Sequence, residues 1–543
     1  MSNFSKHRSV VCAVTVLGFG ALVLIAPLAG HAQEAPAGLD VNDQDRRVDV
    51  LEYRVQGNTV LDKRSIERAV MPFLGLQRSM QDIERARDAL QVAYQNAGYQ
   101  SIYVDLPTQQ VTQGIVILQV SETTIGRLRV TGNQYTSARH IREQVPALRE
   151  GEVPNFNSAQ SQLTALNTGA NRQVMPLVRQ GAFPGTMDVD LQVEDHRPLR
   201  LSAGLNNDNS PDTEDLRATA TVGYSNLWQR GHSLSLTFFG APQDFDQTEV
   251  WTMSYVMPLA GSDWSIEGTA YTSNSNVATI GGTNVLGEGT SVGVKATYTV
   301  PNTERWWHAI SVGLELKDND ESVRLGGGGD DIPLRYAPFT LGYAGYTQTE
   351  RSQYSLGLSL VGGTQGFFGY SSDEFEFDNK RFNASRSFVL LKGDVNATFS
   401  LPASMQVVTR ISTQVANGPL VSGEQFASGG MFSVRGYFSA EATGDYGISG
   451  SLEVRSMPIT PPIIGRWVDS WRAYLFTDGA RLALRETLPE QDGVFSLWSV
   501  GVGTSLDLGR HVAVRLDYGN PLRKGLTTKR DDARLNFSIN ISY

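Results

Sequence analysis

The chain has 543 residues, with 46 Lys and Arg against 56 Asp and Glu and a net charge of −10. This is more than one compact domain needs, although a single large β-barrel can occupy several hundred residues. The acidic balance has no basic stripe, which argues against nucleic acid as a partner.

At the N-terminus, Lys6, His7 and Arg8 precede an apolar run from Val10 to Ala29 and the small residues Gly30 and Ala32. This is the plan of a secretory signal peptide, 1–32, cleaved after Ala32. The only cysteine, Cys12, lies inside it, so the mature chain is expected to hold no thiol, disulfide or cysteine-ligated metal. Residues 33–47 form a short segment with Pro36 and Gly38, too short for a lumen-filling helix and its linker. Beyond Ala32 nothing approaches about eighteen consecutive apolar residues, so a membrane would have to be crossed by a barrel.

Residues 53–66, YRVQGNTVLDKRSI, and 128–141, LRVTGNQYTSARHI, align Val55 with Val130, Gly57 with Gly132, Asn58 with Asn133 and Ile66 with Ile141. This is an internal repeat. In each copy a strand meets a Gly-Asn turn and then a helix. The first copy continues with a capping signal at Ser79 and Asp82 and a helix through Ile83, Ala86, Leu90 and Ala93 that stops at Gly98. Strands follow at 102–106 and 114–120. In the second copy a helix is expected over 158–167 and strands at 174–178 and 187–193. Two small α+β units of β-α-α-β-β plan result, at 48–122 and 123–195, with no phosphate loop or catalytic motif between strand and helix. An exposed sheet edge in such a unit can accept an extended peptide, so the partner-binding residues are expected within 48–195.

From Leu199 onward the texture changes to short alternating strands. Leu535, Phe537, Ile539, Ile541 and Tyr543 alternate with Asn536, Ser538, Asn540 and Ser542. That pattern places lipid outside and water inside. Sixteen strands are expected over 196–543: near 199–206, 217–225, 232–240, 250–257, 264–273, 288–299, 308–317, 335–347, 352–361, 386–400, 405–416, 445–455, 471–482, 495–508, 511–519 and 533–543. Short turns alternate with long loops, of which 318–334, 362–385 and 417–444 are the longest, and both termini of the barrel segment are expected on the periplasmic side. A lumen this wide needs an occupant or a gate.

The loop between the eleventh and twelfth strands carries Phe426, Gly429, Gly430, Val434, Arg435, Gly436 and Tyr437, a mixture that a plain surface loop does not need. Arg435 offers a rigid donor fork that could fold back onto a carboxylate of the wall. Asp478 in Phe476-x-Asp478 provides one, on the strand face that Arg472, Tyr474 and Phe476 share. The loop 362–385, with Phe367, Phe368 and Phe375, is a candidate second lid.

The repeated units resemble the polypeptide-transport-associated (POTRA) domain through Gly57-Asn58-Thr59, the Tyr94-x-x-x-Gly98-Tyr99 helix ending, and Leu163-x-x-Leu166-Asn167 followed by Val174. Val434-Arg435-Gly436-Tyr437 resembles the VRGY motif of POTRA-bearing outer-membrane barrels, and Phe476-x-Asp478 their wall motif. Together these features resemble the transporter subunit of two-partner, type V secretion, the hemolysin secretion/activation family, over 48–543. The wall motif departs from the family's in having glycine at 479 and alanine at 480.

The resemblance implies a transporter in the outer membrane with its POTRA-like units in the periplasm. It would take a dedicated large exoprotein, unfolded in transit, to the cell surface. It also implies that the exoprotein's folding outside, as a parallel β-helix, drives export. The chain is expected to be a lipid-embedded monomer and not an enzyme, with no cofactor, metal or nucleotide. The alternatives are an insertase of other barrels, which typically carries more N-terminal domains, and a passive porin, which carries none. Which exoprotein is carried is not legible in the chain.

Overall fold

The computed structural model describes residues 47–543, apart from 168–171, 212, 276–277, 281–283, 287, 302–305, 320–321, 326–327, 332, 365, 367–368, 460–466 and 490. The expected signal peptide, 1–32, and residues 33–46 lie outside the described residues.

The first repeat comprises β1 (Arg47–Val50), β2 (Glu52–Gln56), α1 (Lys63–Val70), β3 (Gly75–Ser79), α2 (Met80–Asn96), β4 (Tyr103–Asp105) and β5 (Ile115–Ser121). Its sheet has the order β2-β5-β4, with β2 and β5 parallel. The sequence reading had missed an antiparallel ladder of β1 with β3, whose four- and five-residue strands show too little alternation to announce themselves. The helix signal was sound: the Asp82 carboxylate accepts the Ser79 N–H at 3.1 Å, and the Ser79 hydroxyl accepts the Asp82 N–H at 3.2 Å.

The second repeat comprises β6 (Thr124–Thr131), α3 (Ala138–Gln144), α4 (Phe156–Leu166), β7 (Arg172–Gln180) and β8 (Thr186–Asp195). Its sheet has the order β6-β8-β7, and Val189 and Leu191 of β8 share a core with Ile141 of α3 and Leu163 of α4. α4 begins at Phe156 rather than Ser158, because Asn155 caps it by accepting the Ser158 N–H at 3.0 Å.

The repeated Gly-Asn pair has one physical cause in both copies. Gly57 and Gly132 both sit at φ +82, and a Cβ there would strike the carbonyl oxygen of Val120 or Val193, the strand that the turn crosses. The asparagines then close the turn, Asn58 through Leu61 and Asn133 through Thr136.

The barrel strands are β9 (Leu199–Asn206), β10 (Arg217–Leu227), β11 (His232–Gly240), β12 (Glu249–Pro258), β13 (Trp264–Ser273), β14 (Gly289–Thr299), β15 (Trp307–Asn319) and β16 (Pro338–Gln348, preceded by Leu334–Tyr336). They continue as β17 (Ser352–Gly363), β18 (Val389–Ser400), β19 (Gln406–Ala416), β20 (Tyr446–Arg455), β21 (Val468–Ala483), β22 (Val494–Leu508), β23 (Val512–Pro521) and β24 (Arg534–Ser542). These sixteen antiparallel strands close on themselves, β24 meeting β9 from Ser538↔Asn206 to Ser542↔Ser202. Most bounds agree with the sequence reading to within two or three residues.

The barrel is inverted relative to a soluble protein. Leu535, Ile539 and Ile541 are exposed and form part of a lipid face, whereas Asn536, Ser538 and Asp517 are buried toward the lumen. Arg435 heads the largest fully buried side chains among the described residues.

Candidate functional site

The connection between β19 and β20 does not stay outside. Residues 417–445 fold back into the lumen, most of them buried. Short ladders pair Phe426–Ser428 with Ala442–Gly444, and Gly429 (φ +117) and Gly430 (φ +99) turn the chain toward a tip at Arg435. Gly436 (φ +92) lies so close to β23 that a Cβ would stand 3.0 Å from the Gly519 oxygen.

At the tip the Arg435 fork is saturated. Nε donates to Asp478 Oδ2 at 2.6 Å and Nη2 to Asp478 Oδ1 at 2.7 Å, while Nη1 donates to Glu453 Oε1 at 2.7 Å and to Asp517 Oδ1 at 3.2 Å. Nη2 also reaches Ser451 Oγ at 3.1 Å. The guanidinium carbon lies 3.5 Å from the centroid of the Phe476 ring.

Val434 and Tyr437 are fully buried against Phe426, Ala480, Leu482 and Leu497. The Tyr437 hydroxyl donates to the Arg523 oxygen at 2.7 Å and accepts the Trp498 N–H at 3.2 Å. All six residues of the expected site, Val434, Arg435, Gly436, Tyr437, Phe476 and Asp478, therefore converge on one place. The Gly479-Ala480 departure leaves no irregularity there: β21 pairs with β22 in unbroken register through Asp478↔Ser499, Gly479↔Trp498 and Ala480↔Leu497.

Sequence reasoning saw one carboxylate where there are three. Glu453 also accepts from Arg410 at 3.0 Å, Arg455 at 2.7 Å and Arg515 at 2.9 Å. Asp517 is held by Arg515 at 2.7 Å and by the Tyr474 hydroxyl at 2.8 Å. Four arginines thus share three carboxylates. Their common signal was charge on the lumen-facing parity of β19, β20, β21 and β23, which becomes informative only once strand register is known.

The same loop is tied at other points. Glu424 accepts from Lys317 of β15 at 2.7 Å and from Tyr336 at 3.1 Å. Glu441 takes the N–H groups of Thr527 and Thr528, and Asp208 takes that of Met431. Asp445, fully buried, receives both terminal nitrogens of Arg381, at 2.8 Å and 2.7 Å.

Arg381 closes α5 (Glu374–Lys380), a helix inside the long loop after β17 that sequence reasoning left unassigned. Its reciprocal cap, Asp373 with Glu376, was legible as D-x-x-E. The aromatic anchor differs from the expectation. Phe375 is 70% exposed, whereas Phe377 is fully buried against Tyr336. Helical spacing turns residue 377 inward and residue 375 away. Phe367 and Phe368 lie outside the described residues.

A closed barrel with a polar lumen, a tethered inward loop and a POTRA domain ahead of it defines an outer-membrane β-barrel transporter whose POTRA part sits in the periplasm. The ShlB-type POTRA domain model matches residues 48–123. The chain belongs to the haemolysin secretion/activation protein family ShlB/FhaC/HecB, whose model matches residues 185–506, and is accordingly a two-partner secretion transporter with a secreted protein as its partner.

Among curated relatives, the outer membrane transporter CdiB of Dickeya dadantii (strain 3937) is 21% identical over 94% of this chain and 89% of its own length. The solved structure of CdiB from Escherichia coli covers 94% of this chain and 93% of its own, at 18% identity and a TM-score of 0.58. A BamA structure from Haemophilus ducreyi lacking POTRA domains 1-3 shares the fold at 13% identity and a TM-score of 0.53, covering 92% of this chain and all of its own.

Proposed function

We propose that residues 48–122 and 123–195 act as two capture domains for one dedicated exoprotein, held unfolded. The barrel of 196–543 passes that exoprotein outward once the 417–445 loop shifts. The observation that carries this reading is the seating of Arg435 on Asp478, Glu453 and Asp517. The seat is made of hydrogen bonds and ion pairs, so a polar chain entering the lumen can offer the same groups replacement partners, which it could not offer an apolar core. The loop is therefore a removable obstruction.

Capture is supported by β7. It is an outer strand of its sheet, and Met175, Leu177 and Val178 on it are exposed. An extended peptide can add there as a further strand. Folding of the exoprotein outside, as a large β-helix, supplies the drive, so the chain works as a lipid-embedded monomer without a catalytic step or a bound nucleotide.

The test is deletion of 48–195. The remaining barrel should still insert, with heat-modifiable mobility, and secrete nothing. The same domains should retain an unfolded N-terminal fragment of the secreted partner. Absence of binding to any such fragment moves recognition to the barrel and refutes the assignment.

A further inference from the structure

The lipid-facing positions of β21 read Trp471, Ala473, Leu475, Thr477, Gly479 and Arg481. Ten residues at about 3.3 Å each, tilted by roughly 40°, span about 25 Å, the height of the apolar band of such barrels. β21 runs outward from the periplasmic side, so Trp471 marks the inner boundary of that band and Arg481 the outer one.

Below Arg481 the wall is indented. A cavity of about 630 Å³ lies over the row Ile411, Gly450, Gly479 and Trp498, which are register partners across β19 to β22. It is on the outside of the barrel: Ile411, Leu452 and Trp498 of its lining are exposed, and no described residue of the 417–445 loop borders it. The backbone requires neither glycine. Neither has a positive φ, and a Cβ would meet only van der Waals contacts, 3.8 Å from the Arg410 oxygen at Gly450 and 3.6 Å from the Leu497 oxygen at Gly479. The floor is thus left open where the fold accepts a side chain. The Trp498 indole forms one wall, fixed by its Nε1 donating to Thr477 Oγ1 at 3.1 Å, and Ile411 and Leu452 form the other.

Arg481 and Arg523 stand at the upper rim, both exposed. Among the described residues neither guanidinium makes a hydrogen bond or an ion pair. Asp478 is the one carboxylate in the lining, and it is turned inward onto Arg435. The carboxylates of the neighbouring loops are engaged or distant. Glu486 accepts from Asn383, Glu441 from the N–H groups of Thr527 and Thr528, and Asp531 pairs with Arg530 at 3.4 Å. Asp492 stands four residues beyond Ser496, the register partner of Arg481, which is about 13 Å along a strand, and Glu490 lies outside the described residues. Asp532 is offset by Lys524 and Lys529 of the same loop.

We infer that this groove is a site for one molecule of the phosphorylated glycolipid of the outer leaflet. An acyl chain lies over Gly450 and Gly479 beside Trp498, and a phosphate is held between Arg481 and Arg523. The planar guanidinium fork matches phosphate geometry, and an unpaired charge at the edge of the apolar band is matched there by a headgroup of opposite sign. From Arg481 down to Thr477 the groove runs four residues, about 13 Å along the strand, so its occupant stays within one leaflet of a band about 25 Å tall. Gly450 and Gly479 adjoin Ser451 and Asp478, which hold Arg435 from inside. The lipid therefore packs on the outer face of the wall segment whose inner face seats the gate. The site needs only the barrel's place in the outer membrane and no assumption about the client.

The test uses the mature transporter in nonionic detergent, titrated with diphosphorylated, hexa-acylated lipid A and read by native mass spectrometry. The wild type should retain one lipid A, bound about tenfold more tightly than phosphatidylglycerol or phosphatidylcholine. Arg481→Gln combined with Arg523→Gln should weaken lipid A about tenfold, and so should Gly450→Leu, which fills the floor and leaves both arginines in place. Gly268→Leu, at a lipid-facing glycine of β13 where a Cβ meets nothing within 4 Å, should bind as the wild type does. Heat-modifiable mobility certifies each fold, and Gly479→Val takes the place of Gly450→Leu if that variant does not fold. Equal retention of phosphatidylcholine, equal retention of phosphatidylglycerol, or unchanged lipid A binding in either the arginine or the glycine variant overturns the inference.

Discussion

Removing the Arg435 side chain by Arg435→Ala affects the three carboxylates unequally. Glu453 keeps Arg410, Arg455 and Arg515, and Asp517 keeps Arg515 and Tyr474. Asp478 loses the one side chain it pairs with among the described residues and retains the Arg435 N–H at 3.1 Å. With Arg435 1% exposed and Asp478 fully buried, the loss is that of a buried pair broken on one side, about 3–5 kcal/mol. At 1.4 kcal/mol per decade, a value of about 4 kcal/mol lowers the ratio of seated to unseated loop roughly a thousandfold.

The stranded carboxylate is the main cost, so Asp478→Ala should produce the same defect, and the double variant should be no worse than either single one. That non-additivity amounts to a coupling as large as one single-variant loss, about 3–5 kcal/mol. Arg435→Lys keeps the charge but loses the fork and should fall between wild type and alanine. The assay pairs surface-exposed client with single-channel conductance, with heat-modifiable mobility as the check on insertion. Both alanine variants should insert, conduct more and secrete little. Unchanged secretion and conductance in both would refute the reasoning, as would strict additivity in the double variant.

Deleting residues 428–440 should raise single-channel conductance severalfold, whereas deleting 33–45 should leave it nearly unchanged; a large increase from the second deletion alone would identify a plug in the N-terminal segment. Asp445→Asn should weaken the Arg381 clamp and expose 364–388 to protease at an unchanged barrel mobility, and unchanged cleavage would show that Phe377 holds α5 without it. The third test concerns Asp195. Burial pushes its pKa up, but the N–H groups of Gln134, Tyr135 and Thr136 outweigh this and hold it below the ordinary 3.8. A depressed folded pKa means stabilisation that is complete above the unfolded value and lost as pH falls through the folded one. Hydrogen-exchange protection at Gln134 to Thr136 should therefore weaken only below the ordinary carboxylate range in the wild type, and should be lower already at neutral pH in Asp195→Asn. Equal protection in the two proteins at neutral pH would refute the role of the charge.

Periodicity carried the barrel, because the lipid face imposes one constraint on every second residue. A strand such as β24 is readable from Leu535 to Tyr543 without knowledge of its neighbours. The repeat was readable for a similar local reason: Gly57 and Gly132 answer to their own φ and to one crossing strand. Arg435 and Asp478 were also visible, by motif and by strand parity. What the chain order could not reveal was which charges share a level of the lumen. Glu453, Asp517, Arg410 and Arg515 come together only through the stagger of β19, β20 and β23, a property of the closed ladder and not of any strand within it. The choice of Phe377 over Phe375 is of the same kind, since either could fill an apolar pocket and the helix that turns one of them inward is held by Arg381 on Asp445, a partner 64 residues away in the chain. Local sequence determines what each segment can be, through its turns and its alternation; the tertiary closure decides which charges meet, because their separation in space depends on register summed around the barrel.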